Sequence, residues 1–235
     1  MIATLCNPHV HKEYVDCLLT QLFLHPQRLQ DQRTYDIAYN LVHGNSGLSK
    51  DRSIVASTAL HMGFDKLFFI DADQSWRFED FARLVHSPHK IVGAPIAQKK
   101  RPISLNFTPL ERDNDCFKDS NGVPTPKGLQ KLMEKYPKKE IEVALLGTGF
   151  MCVDVSVLSD LTATAPQFDY IHPQTGQKMT CWEFFPSGAA DGIYWGEDWA
   201  LCRNAKHAGH SIFINPYCNG VGHHGDDSFF VGDEL

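Results

Sequence analysis

Residues Phe68 to Gln74 read FFIDADQ, and two carboxylates, Asp71 and Asp73, stand two residues apart where an apolar run ends. In extended backbone the side chains at i and i+2 point the same way, so the pair can reach one site together. Ligands of open α/β sheets bind beyond the carboxyl ends of strands. Two hard oxygen ligands in that place suit Mg²⁺ or Mn²⁺, with coordination positions left open for phosphate oxygens of a substrate. A D-x-D triplet is also common as a polar strand end with Asp capping a turn. The preceding apolar strand favours the metal reading.

Four other sets of residues carry chemistry. Gly147-Thr148-Gly149 lies between two strand-like runs, and small residues there permit close approach of backbone to a ligand. Glu197 and Asp198 open a helix, where acidic side chains favour the macrodipole in any case. His223 and His224 are flanked by Gly222 and Gly225, a weak metal signal alone. Lys99 and Lys100 follow the strand that ends near Ile96 and either reach phosphates or stay in solvent. Trp182, Phe185, Tyr194 and Trp195 can stack on a sugar or a base, or pack in the core.

The elements that must position these groups follow from periodicity. Apolar runs predict strands at Ile2 to Cys6, Tyr35 to Val42, Lys66 to Ile70, Ile91 to Ile96, Ile141 to Leu146, Phe150 to Val153 and Ser211 to Asn215. Spacings near 3.6 predict helices over His11 to Leu24, Asp51 to Met62, Arg77 to Val85, Gly128 to Tyr136 and Glu197 to His207. Ser49 or Asp51 is the expected cap of the second helix and Gly63 its stop. The alternation predicts one α/β domain over residues 1–235, with a mostly parallel sheet and helices on both faces. Residues 105–127, rich in Asp, Asn, Pro and Gly, are expected as a polar loop or lid, and residues 165–195 as an aromatic, turn-rich acceptor-side segment.

The run FDKLFFIDADQSW resembles the strand-plus-DxD segment of GT-A-fold glycosyltransferases, especially family-2-like enzymes of the small phage and bacterial type. The resemblance implies a Rossmann-like sheet and a metal bridging the two phosphates of a nucleotide sugar, most simply a UDP-sugar. Asp71 would then lie nearer the nucleoside and Asp73 would bind the metal most directly. A basic residue at the start of the preceding helix is common in the family, and Arg52 in GNSGLSKDRSIVAS matches it, implying a contact to the diphosphate. Gly196-Glu197-Asp198-Trp199 is similar to the family's late acidic motif, which makes Asp198 the general base for the acceptor hydroxyl and Glu197 its alternate. In a retaining enzyme the same acids would orient the acceptor. The tail VGHHGDDSFFVGD resembles the ending in which a late histidine completes the metal site; His223 fits better than His224. Gly147, Thr148 and Gly149 would line the sugar pocket. The ordered set spans residues 45–232.

Composition narrows the remaining choices. The chain has 235 residues, 43% of them hydrophobic, enough for one buried core. A net charge of −6 argues against a general grip on nucleic acid or anionic membrane. A local basic face from Lys99, Lys100, Arg101 and the lysines of 131–139 keeps a modified base in DNA among the acceptors, beside a glycan, a lipid-linked sugar or a protein. Seven scattered cysteines without finger spacing, and no long apolar run, lead to the expectation of a cytoplasmic chain without a membrane span, host-cytoplasmic if phage-encoded. Two alternatives compete with hexosyl or pentosyl transfer. A nucleotidyltransferase usually has a glycine-rich basic loop after the first strand, where this chain has NPHVHKEY. A noncatalytic nucleotide- or sugar-binding module would not need carboxylates on both sides of the site.

Overall fold

The computed structural model describes residues 1–6, 10–23, 37–43, 47–172, 175–190 and 192–234. Leu24, the last residue of the first expected helix, and the start of the strand expected from Tyr35 lie outside them.

An eight-stranded sheet organises the chain. Its strands are β1 (Ile2–Cys6), β2 (Tyr39–His43), β3 (Lys66–Ile70), β5 (Ile91–Gly93), β6 (Phe107–Pro109), β7 (Ile141–Leu146), β8 (Phe150–Asp154) and β13 (Ile212–Ile214). They lie in the order β2-β1-β3-β8-β5-β13-β7-β6. β1 pairs in parallel with β2 and β3, and β13 with β5. β8 runs against both β3 and β5, and β7 against β13 and β6. Six strands thus point one way and two are reversed. The sheet expected as mostly parallel is thus mixed: β3 pairs in parallel with β1 on one side and antiparallel with β8 along its whole length on the other. An apolar run buried on both faces cannot reveal a neighbour's direction.

Both faces are covered. Within β3, Leu67 and Phe69 pack to one side and Phe68 and Ile70 to the other, all at 2% exposure or less. Helices α2 (Leu48–His61), α4 (Pro126–Lys135), α5 (Val155–Leu161) and α6 (Glu197–His207) cover the first face, and α1 (Lys12–Cys17) and α3 (Phe78–Val85) the second. Burial of each such aliphatic or aromatic side chain is worth roughly 1.5–3 kcal/mol, so β3 is held rigidly at the centre. Rings reinforce it: Phe68 meets Phe81 and Phe150 at 4.7 and 4.9 Å, and Phe69 meets Phe185 edge-on at 5.3 Å.

Two further segments hold regular structure. Residues 105–127 carry edge strand β6 and a 3₁₀ stretch, Glu111–Ser120, rather than a free lid. Leu105, Phe107 and Phe117 sit in the core, and the Phe117 ring lies so close to Gly128 that a methyl there would meet it at 2.1 Å. Three large apolar residues among many polar ones show no period, but they suffice to pin the segment. Residues 165–195 form two hairpins, β9 (Gln167–Ile171) with β10 (Lys178–Trp182) and β11 (Gly188–Ala190) with β12 (Ile193–Trp195). Helix α2 docks this region with its serines. Ser53 accepts the N–H of Phe185 at 3.1 Å, Ser57 accepts that of Trp182 at 3.0 Å, and Ser49 donates to the carbonyl of Phe185. Ser49 is therefore not the helix cap; α2 starts earlier, after Gly47 at φ 113°.

Candidate functional site

The turn that follows β3 is fixed from three directions. The Asp71 N–H donates to the Gly149 carbonyl at 2.9 Å, the His11 N–H to Ala72 at 2.9 Å, and the His224 N–H to Asp73 at 2.8 Å. The chain then enters β4 (Gln74–Ser75), which pairs with β14 (Gly222–His224), itself paired with β15 (Ser228–Phe230). The tail is thus a built wall of the site next to the aspartates.

Asp73 is the focus of one half. Its Oδ2 lies 2.5 Å from Lys99 Nζ and 3.4 Å from His223 Nε2. The other ring nitrogen of His223, Nδ1, donates to the Ala97 carbonyl at 2.9 Å, which fixes the ring and turns Nε2 toward the carboxylate. Burial alone would push the Asp73 carboxyl up. Hydrogen bonds from His223 and Lys99, with their charges, outweigh it and hold the group well below the usual carboxylate range.

Asp71 belongs to a second arrangement. Arg52 of α2, 2% exposed, places Nη2 3.1 Å from Asp71 Oδ1 and Nη1 2.5 Å from Glu197 Oε1. One buried guanidinium therefore joins the end of β3 to the start of α6, through partners 19 and 145 residues from Arg52 in sequence. Arg52, expected as a contact to the diphosphate, has both terminal nitrogens on carboxylates of the protein, while Nε has no partner.

Asp198, the next residue, makes no ion pair with that guanidinium; its Oδ1 accepts the Trp199 N–H at 2.8 Å. Burial raises its carboxyl pKa first and the neighbouring Glu197 charge second, while Arg52 and backbone N–H groups lower it, with the net direction upward. The two glycines of the 147–149 turn make room for both acids. A methyl at Gly147 would sit 3.3 Å from Asp198 Oδ2 and 3.2 Å from Asn106 Nδ2; one at Gly149 would sit 3.2 Å from Asp71 Oδ2 and 3.4 Å from Gln74 Nε2. Thr148 between them is buried and its hydroxyl has no partner.

The adjacent histidines separate. β14 alternates its side chains, so His223 faces Asp73 while His224 turns inward at 5% exposure. His224 Nδ1 and Nε2 lie 2.9 and 2.7 Å from the hydroxyls of Ser228 and Ser75, and burial lowers its pKa. His224 ties the tail to β4 and does not face Asp73, contrary to its inclusion as a candidate ligand. Lys100 is exposed and points to neither aspartate by any described contact. Phe185 is core, Tyr194 is 74% exposed, and Trp195 stacks under Arg203 at 5.0 Å. Asn106 and Gln74 also border the turn, and nothing in their sequence spacing marks them as site residues.

Among the described residues no three His, Cys, Asp or Glu side chains converge as a metal cage. Asp73 and His223 do form a pair of one hard oxygen and one oriented imidazole, the donor types that Mn²⁺ accepts. A hard cation held by few protein ligands and completed by substrate oxygens fits that pair. The Lys99 ammonium on the same carboxylate oxygen shows that the position favours positive charge.

No protein-family model matches the chain, and no curated protein matches it. Among solved structures, A197 from STIV is similar, with a TM-score of 0.54 and 13% identity, covering 100% of this chain and 94% of that one. Identity that low speaks for the fold alone, and the chain shares a mixed α/β architecture with that structure.

Proposed function

We propose that this protein is a metal-dependent glycosyltransferase that moves a sugar from a nucleotide-sugar donor, a UDP-sugar in the simplest case, to an acceptor hydroxyl. The observation that carries the reading is the meeting of four distant segments at the carboxyl end of β3. Arg52, Asp71 with Asp73, Glu197 with Asp198, and His223 all belong to one constellation. A strand-end carboxylate paired with an oriented imidazole suits a cation on a diphosphate. A separate carboxylate with a raised pKa, beside a glycine turn, suits a base for an acceptor.

Asp73 and His223 would hold Mn²⁺ or Mg²⁺, which supplies Lewis-acid stabilisation of a leaving diphosphate when bound. Lys99, on the same side, is placed to meet a phosphate oxygen as a second positive charge. Asp71 is held by Arg52 and Gly149, so it shapes the floor of the donor half. Across the turn, Asp198 accepts the proton of the attacking hydroxyl, with Glu197 kept in place by Arg52. Inversion at the anomeric carbon follows if that attack is in line, and the GT-A family-2-like resemblance points the same way.

The acceptor is bounded by charge. Lys131 and Lys135 pair with Asp119 and Asp113, each at 2.7 Å, and Arg112 pairs with Glu142 at 2.9 Å. The basic cluster of 131–139 is partly neutralised, so a glycan or another uncharged hydroxyl compound suits the surface better than DNA. No helix among the described residues is long and apolar enough to cross a membrane. Nucleotide sugars screened for slow Mn²⁺-dependent hydrolysis would name the donor. Absence of hydrolysis or transfer with every nucleotide sugar, in folded protein, would remove the transferase reading.

A further inference from the structure

The buried guanidinium of Arg52 is unusual in what it joins. It reaches one acid on the donor side and one on the acceptor side, monodentate to each, at 3.1 and 2.5 Å. Its side chain is 3% exposed, while those of Asp71 and Glu197 are 31% and 20% exposed, so the cation lies beneath two acids that reach the surface. The buried cation is matched by three carboxylates, those of Asp71, Glu197 and Asp198, of which it holds two.

We propose that Arg52 is a positioning residue that locks Glu197 to the end of β3, leaving Asp198 as the acid of the α6 first turn that faces the acceptor. The geometry gives each acid a separate task. Glu197 is taken up by the guanidinium, whereas Asp198 is oriented by the Trp199 N–H at 2.8 Å and by the space at Gly147. Without Arg52, Glu197 would be an unpaired carboxylate in a mostly buried place, beside a second one. It would then either swing toward the Gly147 turn or force one of the two acids to keep a proton.

The charge balance around Asp198 makes the proposal measurable. The titratable groups acting on it are Glu197 and Cys202 of its own helix and Arg52 of α2. The Cys202 thiol is pushed up to about 12 by burial and is neutral at ordinary pH. Asn106 and Gly147 border the same space without charge. Glu197 and Arg52 therefore act on Asp198 in opposite directions.

This proposal rests on Asp198 being the acceptor-side base, but its test needs neither donor nor metal. The carboxyl carbon of Asp198, assigned with Asp198→Asn, is titrated by ¹³C NMR in wild type, Arg52→Gln, Glu197→Gln and the double variant. Arg52→Gln is expected to move the midpoint up by about one pH unit, and Glu197→Gln to move it down by about as much. The double variant is expected to lie between the two single variants. A simple loss of packing would not give opposite shifts. An unchanged or lowered midpoint in Arg52→Gln, or an unchanged or raised one in Glu197→Gln, overturns the proposal. If Arg52→Gln does not fold, Glu197→Gln alone decides by the same criterion. Opposite shifts in a protein that transfers no sugar would keep the clamp and remove the transferase.

Discussion

Replacing Asp198 with asparagine should destroy transfer and stabilise the fold at the same time. Burial and the Glu197 charge raise the carboxyl pKa of Asp198 in the folded protein. An acid whose folded pKa lies above its unfolded value binds more protons when folded. Stability is therefore lost as pH rises from the unfolded pKa, about 3.9, through the raised folded value, and the deficit stays constant above it. Each pH unit of elevation corresponds to about 1.4 kcal/mol. The helix dipole at the start of α6 works the other way, by roughly 0.3–1 kcal/mol for an exposed charge, and those backbone N–H groups are already among the lowering influences. Asparagine keeps an oxygen for the Trp199 N–H and has the same shape, so the comparison isolates the charge. Urea unfolding of wild type and Asp198→Asn should be compared at a series of pH values rising from the unfolded pKa, about 3.9. The two stability curves should diverge in favour of the variant with rising pH, then run parallel. Transfer should fall by about 10²–10⁴-fold, the usual worth of a general base. Equal stability of the two proteins at every pH, or a less stable variant at the alkaline end, would refute the burial argument; full transfer in that variant would refute the base.

Two further pairs of substitutions separate the halves of the site. Gly149→Ala places a methyl 3.2 Å from both Asp71 Oδ2 and Ile96 Cδ1; it should cost about 1–3 kcal/mol and weaken nucleotide binding. Gly147→Ala crowds Asp198 and Asn106 instead, so calorimetry should find nucleotide binding kept while the transfer rate drops. His223→Ala should leave the melting temperature nearly unchanged and weaken Mn²⁺ binding, because its ring is partly exposed and faces Asp73. His224→Ala removes a buried ring from two serine hydroxyls and should lower stability by roughly 1–3 kcal/mol. Equal effects of the two histidines on thermal melting would contradict the split.

Much of the scaffold is legible in the sequence. Lys66–Ile70, Ile141–Leu146 and Glu197–His207 have the bounds the sequence suggests, since each has a clear apolar run or an acidic start with a glycine stop. Helix α5 is too short to show a period of its own, though Asp154 caps it through the Ser156 N–H at 2.9 Å. A strand through the tail must send neighbouring side chains to opposite faces, so the split between His223 and His224 follows once that strand is recognised. Arg52 is legible as a site residue but not as a clamp. Its partners lie 19 and 145 residues away, and only the folded sheet brings them together. The core role of Phe107 and Phe117 is hidden by their polar neighbours, for the same reason that non-local packing leaves no period in a sequence.

The most direct measurement is calorimetric binding of UDP, with and without Mn²⁺, to the wild type, Asp73→Ala and Asp198→Asn, repeated with GDP and dTDP. A donor site centred on Asp73 and His223 predicts Mn²⁺-dependent binding of at least one nucleoside diphosphate by the wild type. It predicts loss of that binding in Asp73→Ala and its retention in Asp198→Asn. Binding of no nucleotide by folded wild type, or Mn²⁺-dependent binding that survives in Asp73→Ala, would contradict it.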